Sequence, residues 1–160
     1  MKFFRSVLLA VSLVSIPLTA IDNQAHIEGK FFSKLSDYRF FEDLTNQIPA
    51  DEVLPYQLQS ELFSDYTYKQ RFVYVPPAMK VGHEKNKVFM FPVGSVLIKT
   101  FSYQNTMSEL PPQLLETRLL IHSEGGWKAV SYIWNEDQTE AYLSLVGGTI
   151  QTSFSDEGGN

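Results

Sequence analysis

Three histidines, at positions 26, 83 and 122, are the first candidates for metal ligation or proton transfer in this chain. One falls in a polar N-terminal stretch, one in a lysine-rich loop and one at the end of an apolar run. None has a second histidine two to four residues away, so no chelating pair can be read. The spacing predicts three surface or rim histidines, with a site assembled over long range as the alternative. Nucleophilic hydrolysis has no G-x-S-x-G turn to expose a serine, and no glycine-rich phosphate loop is present. Met79, Met90 and Met107 suit packing or loops better than soft-metal ligation. The chain has no cysteine. That excludes disulfides, thiolate metal sites, a thiol nucleophile and thioether attachment of a haem to this chain.

Charged residues set inside apolar runs carry more information. Lys99 interrupts the run at 95–103, and Glu116 and Arg118 lie two apart in the run at 114–122. In a strand that spacing puts Glu116 and Arg118 on one face, within reach of Lys99 on a neighbouring strand. Two readings follow. Lys99, Glu116, Arg118 and Trp134 line a pocket for an anionic or polar ligand, or they sit on a solvated sheet face carrying cross-strand ion pairs. Residues 62–72 (LFSDYTYKQRF) combine Asp, Tyr, Lys and Arg, which suits either a cleft or a turn pinned by Asp65. Trp127 and Trp134 are seven apart on one strand and so point to opposite faces, which does not make a paired stacking platform.

The elements that must hold these residues are mostly strands. Period-two patterns predict strands over 71–75, 88–91 and 95–103, with Val96, Ile98 and Thr100 on one face and Leu97, Lys99 and Phe101 on the other. Residues 114–146 read as a three-stranded antiparallel meander, turning at 123–126 and 135–138. A further strand is expected at 149–154. Ahead of the strands, Ser36 or Asp37 is placed to cap a short helix with Tyr38, Phe41 and Leu44 on its apolar face. Residues 21–34 read as a loosely ordered lead-in. The expected fold is mostly β, an antiparallel sheet or sandwich-like domain over 35–154 with a short N-terminal helix and a polar tail at 155–160. With 12 Phe and 8 Tyr among 160 residues, an aromatic-packed β core in one domain fits the composition.

Residues 1–20 (MKFFRSVLLAVSLVSIPLTA) have the form of a secretory signal peptide. Lys2 and Arg5 precede an apolar stretch that is too short for the ~20 residues a spanning helix needs, and Pro17 follows. Export to the periplasm or the extracellular space is the expectation. Cleavage takes two of the 13 basic residues and none of the 18 acidic ones, moving the formal charge from −5 to −7. Such a charge opposes general binding to nucleic acid and to anionic membranes. No later segment has the pattern of a transmembrane helix.

Several strings carry a resemblance: LSDYRFF (35–41), LPYQLQSELFSDYTYKQRFVYVPP (54–77), FPVGSVLIKTFSY (91–103), LLETRLLIHSEGGW (114–127) and SYIWNEDQTEAYL (131–143). Together they resemble an uncharacterised family of exported bacterial proteins, covering the chain from about Leu35 to Gly148. Members of that family join such a β-rich region to a C-terminal segment that carries c-type haem on a C-x-x-C-H motif. The resemblance implies a non-catalytic scaffold domain of a cytochrome c-like protein, with the haem in a segment missing here. It transfers no haem-binding or catalytic role to any residue of this chain. The alternative is a stand-alone extracytoplasmic module for a cell-envelope or carbohydrate ligand. Partners on the first reading are envelope proteins or a separate haem-bearing segment.

Overall fold

The computed structural model describes residues 20–60, 67–103 and 111–145. The expected strand at 149–154, the expected polar tail, most of the expected signal peptide and residues 61–66 lie outside them. The period-two segments, joined by an unexpected short strand β3 (Val53–Pro55), form a six-stranded antiparallel sheet with β4 (Tyr68–Tyr74), β5 (Val96–Tyr103), β6 (Gln113–Ser123), β7 (Gly126–Trp134) and β8 (Ala141–Ser144). They pair in chain order, 3-4-5-6-7-8, so each strand neighbours the next in sequence. The meander expected over 114–146 is present as β6, β7 and β8, with Ser123 opposite Gly126 closing its first turn.

Alternation along β5 sorts its residues as expected. Val96, Ile98, Thr100 and Ser102 are buried, while Leu97, Lys99, Phe101 and Tyr103 are half-buried on the other side. The inner rows run Phe72–Ile98–Leu119–Val130 and Gln70–Thr100–Thr117–Tyr132 across β4 to β7. At the start of β6, Phe101 pairs with Glu116 but Ser102 pairs with Leu114, so Leu115 is an extra residue. This bulge rotates Leu114 onto the buried face while Glu116 stays on the outer one.

The layer over the inner face is built from the N-terminal segment and corrects two expectations. Residues 21–34 are not a loose lead-in: α1 (Asn23–Glu28) forms there and buries Ala25 and His26. Asp22 caps it by accepting from the Ala25 N–H at 3.1 Å, and Gly29 stops it in the left-handed region at φ 67°. The helix expected from Ser36 to Leu44 is instead a single 3-10 turn, Leu35–Tyr38. Arg39 then turns left-handed at φ 59°, and β1 (Phe41–Asp43) begins, pairing with β2 (Ile48–Pro49). The helical spacing of Tyr38, Phe41 and Leu44 comes from turn and strand side chains that all pack on one core. The strand expected at 88–91 is reduced to one bridge between Gly82 and Met90 within the long β4–β5 loop.

The core joins both layers: Leu35, Tyr38 and Phe40 from the N-terminal segment meet Tyr74, Ile98, Ile121, Tyr132 and Trp134 from the sheet. Tyr38 stacks on Phe40 at 5.2 Å and meets Tyr132 edge-on at 5.7 Å. Each such aromatic pair adds about 0.5–1.5 kcal/mol beyond the area it buries.

Candidate functional site

The outer face of the sheet gathers the charged residues that the sequence singled out. Strand register sets Arg71, Lys99, Arg118, Ser131 and Ser144 in one row across β4 to β8. The neighbouring row holds Lys69, Phe101, Glu116, Ile133 and Tyr142. Three cations thus face one another across adjacent strands, an arrangement that works against sheet stability. Glu116 is the one carboxylate in these two rows. It accepts a hydrogen bond from Arg118 at 2.8 Å, with the Arg118 side chain 57% exposed and that of Glu116 19%.

Phe101 is the floor of this cluster. The Lys99 ammonium lies 4.5 Å from its ring centroid and the Arg118 guanidinium 4.8 Å. Ring-face attraction of this kind, worth roughly 0.5–1 kcal/mol at a surface, partly offsets the mutual repulsion of the cations. Partial burial, together with the charges of Arg71, Arg118 and Lys69, pushes the Lys99 ammonium below its usual range against the pull of Glu116. Burial works to raise the Glu116 carboxyl, but hydrogen bonds from Arg118 and Ser131 and the nearby positive charges hold it down. Arg71 is buried and donates to the Lys69 carbonyl at 3.4 Å. Shallow hollows flank the row: one of about 480 Å³ beside Tyr56, Tyr68 and Lys69, and one of about 210 Å³ beside Arg118 and Ser144.

Of the four residues proposed from sequence, Lys99, Glu116 and Arg118 come together and Trp134 does not. Trp134 is buried on the inner face, where its indole N–H donates to Thr117 Oγ1 at 3.0 Å. Thr117 in turn shares a hydrogen bond of 2.8 Å with Thr100. These are structural hydrogen bonds along the inner face that link β5, β6 and β7. Sequence reasoning missed Phe101, Lys69 and Arg71 as members of the outer cluster. Their signal was the period-two phase of β4 and β5, which puts Lys69, Arg71, Lys99 and Phe101 on one face once the register is known.

The histidines divide. His26, expected at the surface, is fully buried among Tyr38, Phe40 and Tyr74, with ring centroids 5.3–5.7 Å away. Neither ring nitrogen has a hydrogen-bond partner, and the buried oxygens Asn23 Oδ1 and Ser95 Oγ are also unpartnered. Burial lowers the His26 pKa to about 4, opposed by the Asp22 carboxylate and by the backbone of Gly94, which approaches the ring without closing a hydrogen bond. His122 is half-buried on the rim, its Nδ1 2.9 Å from the Phe91 carbonyl and its ring stacked on Trp127 at 4.5 Å. His83 lies in the exposed loop beside Phe89.

The absence of cysteine rules out a thioether-linked haem on this chain. Among the described residues, no group of three or more His, Asp or Glu side chains is placed to hold a metal ion. No described helix is long and apolar enough to cross a membrane. Comparisons with family models, curated proteins and solved structures find no match to this chain.

Proposed function

We propose that this chain is a non-catalytic scaffold domain of an exported cytochrome c-like protein, and that its outer sheet face docks an acidic partner surface. The observation that carries this reading is the in-register pair Lys99–Arg118 on the outer face, with Arg71 buried beneath its edge. Like charges in register oppose folding, so their placement is better accounted for by a role in recognition than by a contribution to the sheet. Cationic rows of this kind steer an acidic partner and fix its orientation. The resemblance over residues 35–148 supports a partner that carries c-type haem, on a further segment or on another polypeptide. The signal-like N-terminus supports a periplasmic or extracellular setting.

A second reading, an accessory module for an acidic envelope glycan, is favoured by the hollow of about 480 Å³ beside Tyr68 and Lys69. Capture of the tagged protein from gently solubilised native envelopes separates the two. Recovery of a polypeptide with covalently bound haem, read by its Soret band and by peroxidase staining, is the expected result. Recovery of an acidic glycan without haem would favour the second reading, and recovery of neither would count against both.

A further inference from the structure

The loop joining β4 to β5 exposes apolar side chains in a way that the outer sheet face does not explain. Val88 is 85% exposed, Phe89 58%, and Met79 and Met90 are each about half exposed. Three of the four are consecutive in sequence, and Met79 sits on the opposite limb of the same loop. The limbs are tied where Gly82 and Met90 exchange backbone hydrogen bonds of 2.8 and 2.9 Å. The turn beyond is fixed by the Lys87 N–H donating to the Glu84 carbonyl at 3.1 Å and by Asn86 at φ 64°. A backbone held in this way projects its apolar side chains at little further entropic cost.

The patch continues onto the sheet. Phe89 meets Phe91 at 6.4 Å, and Phe91 meets the half-exposed Trp127 at 6.2 Å, edge-on in both cases. Trp127 opens β7 directly after the β6–β7 turn, so the loop and that turn share one end of the sheet. Lys80, Lys85 and Lys87 surround the apolar tip and are exposed, and Lys87 pairs with Glu84, the one acidic residue of the loop. The loop is therefore locally cationic in a chain whose formal charge is −5.

We infer that this end of the molecule is a membrane-contact surface, with the β4–β5 loop entering the headgroup region of an anionic bilayer. A lipid surface satisfies both halves of the pattern. The acyl boundary takes Val88, Phe89 and Met90, while the lysine stems reach back to place their ammonium groups among phosphates. Trp127, with an apolar body and a polar N–H, suits the interfacial level. The net negative charge of the rest of the chain acts weakly at the contact, because charges beyond a Debye length of ~10 Å are screened at moderate salt. A protein partner would have to offer an apolar recess ringed by carboxylates. The surface is separate from the cationic row of the outer sheet face and does not depend on what that row binds.

Vesicle binding of the exported protein tests this inference. Vesicles of phosphatidylethanolamine with phosphatidylglycerol are compared with phosphatidylcholine alone, reading co-sedimentation and tryptophan emission. Binding to the anionic vesicles is expected, with a blue shift from Trp127 and weakening as salt rises. The double variant V88S/F89S and the charge reversal K85E/K87E should each reduce binding at least tenfold while leaving the thermal melt in place. All the proteins share one N-terminus, so the differences report on the loop. Absence of binding to either vesicle would overturn the inference, as would binding that both variants retain. A photo-crosslinker at position 89 that yields one discrete protein adduct in intact envelopes would overturn it in favour of a protein partner.

Discussion

The hydroxyls of Tyr38 and Tyr132, 94 residues apart in sequence, meet at 2.8 Å inside the core. Tyr132 also donates to the Phe32 carbonyl at 2.8 Å, and the Phe32 N–H donates to Tyr38 at 3.3 Å. Tyr132 spends its one proton on Phe32, so Tyr38 must donate to Tyr132, and the three groups close a ring of hydrogen bonds. Burial raises both phenols above their usual range, which keeps the ring neutral. This contact ties the N-terminal segment to β7 and makes the covering layer part of the same folding unit.

Removing either hydroxyl breaks the ring. Tyr132→Phe leaves the Phe32 carbonyl without its side-chain donor and Tyr38 without its acceptor, at an expected cost of about 1–3 kcal/mol. Tyr38→Phe should cost a similar amount. The double variant should cost less than the sum, because both substitutions remove one shared network. Urea unfolding of the three variants measures this, and strict additivity would show that the ring does not act as a unit.

Thr117 links Trp134 to Thr100, so its hydroxyl holds two polar groups of the core together. Thr117→Val keeps the shape but leaves the indole N–H unpaired, with an expected loss of about 1–3 kcal/mol. Thr100→Val should cost less, since Thr117 can still accept from Trp134. Equal losses in chemical denaturation would contradict this order.

His26 gives the fold an acid limit. Its pKa is about 4 in the folded chain, against ~6.5 in an unfolded one. The unfolded state therefore takes up the proton first as pH falls. The stabilisation from keeping His26 neutral is complete above about pH 6.5 and is lost progressively toward pH 4. That difference corresponds to an order of 3 kcal/mol. His26→Phe should flatten the pH dependence of the melting temperature between pH 6.5 and 4. An unchanged slope would assign the acid sensitivity to other groups.

How much of this was legible in the sequence depended on what fixes each element. Strands β4 to β8 were, because alternation in 95–103 and along 117–134 follows directly from one buried face, whereas the three-residue β3 is too short to show a period. The N-terminal layer was not, although Asp22 and Gly29 are ordinary cap residues. The helix they bound has only six residues, too short to show an apolar stripe. Without that helix, nothing marked His26 as a core residue. In the outer cluster, Lys99, Glu116 and Arg118 could be grouped from strand phase. Phe101 already shared the face of Lys99 in the phase of β5, whereas Arg71 needed the register of β4 with β5, and the Leu115 bulge in β6 is silent in the sequence. Trp134 was misplaced among the cluster because the phase of β7 relative to β6 is set by the length of their turn.

The cationic row makes stability and recognition pull in opposite directions. Lys99→Met removes the middle cation and should stabilise the sheet by about 0.2–1 kcal/mol while weakening partner binding. Glu116→Gln, which removes the row's carboxylate neighbour, should destabilise. A Lys99→Met protein no more stable than the parent in urea would show that the repulsion is fully relieved within the fold.

The central claim, that the outer sheet face docks an acidic partner, is tested most directly by the affinity of the captured haem-bearing partner for the parent protein and for K99E/R118E. The account expects salt-sensitive binding by the parent and at least a tenfold loss on charge reversal, with the folded state retained. Equal affinity for the two proteins, or binding indifferent to salt, would contradict it.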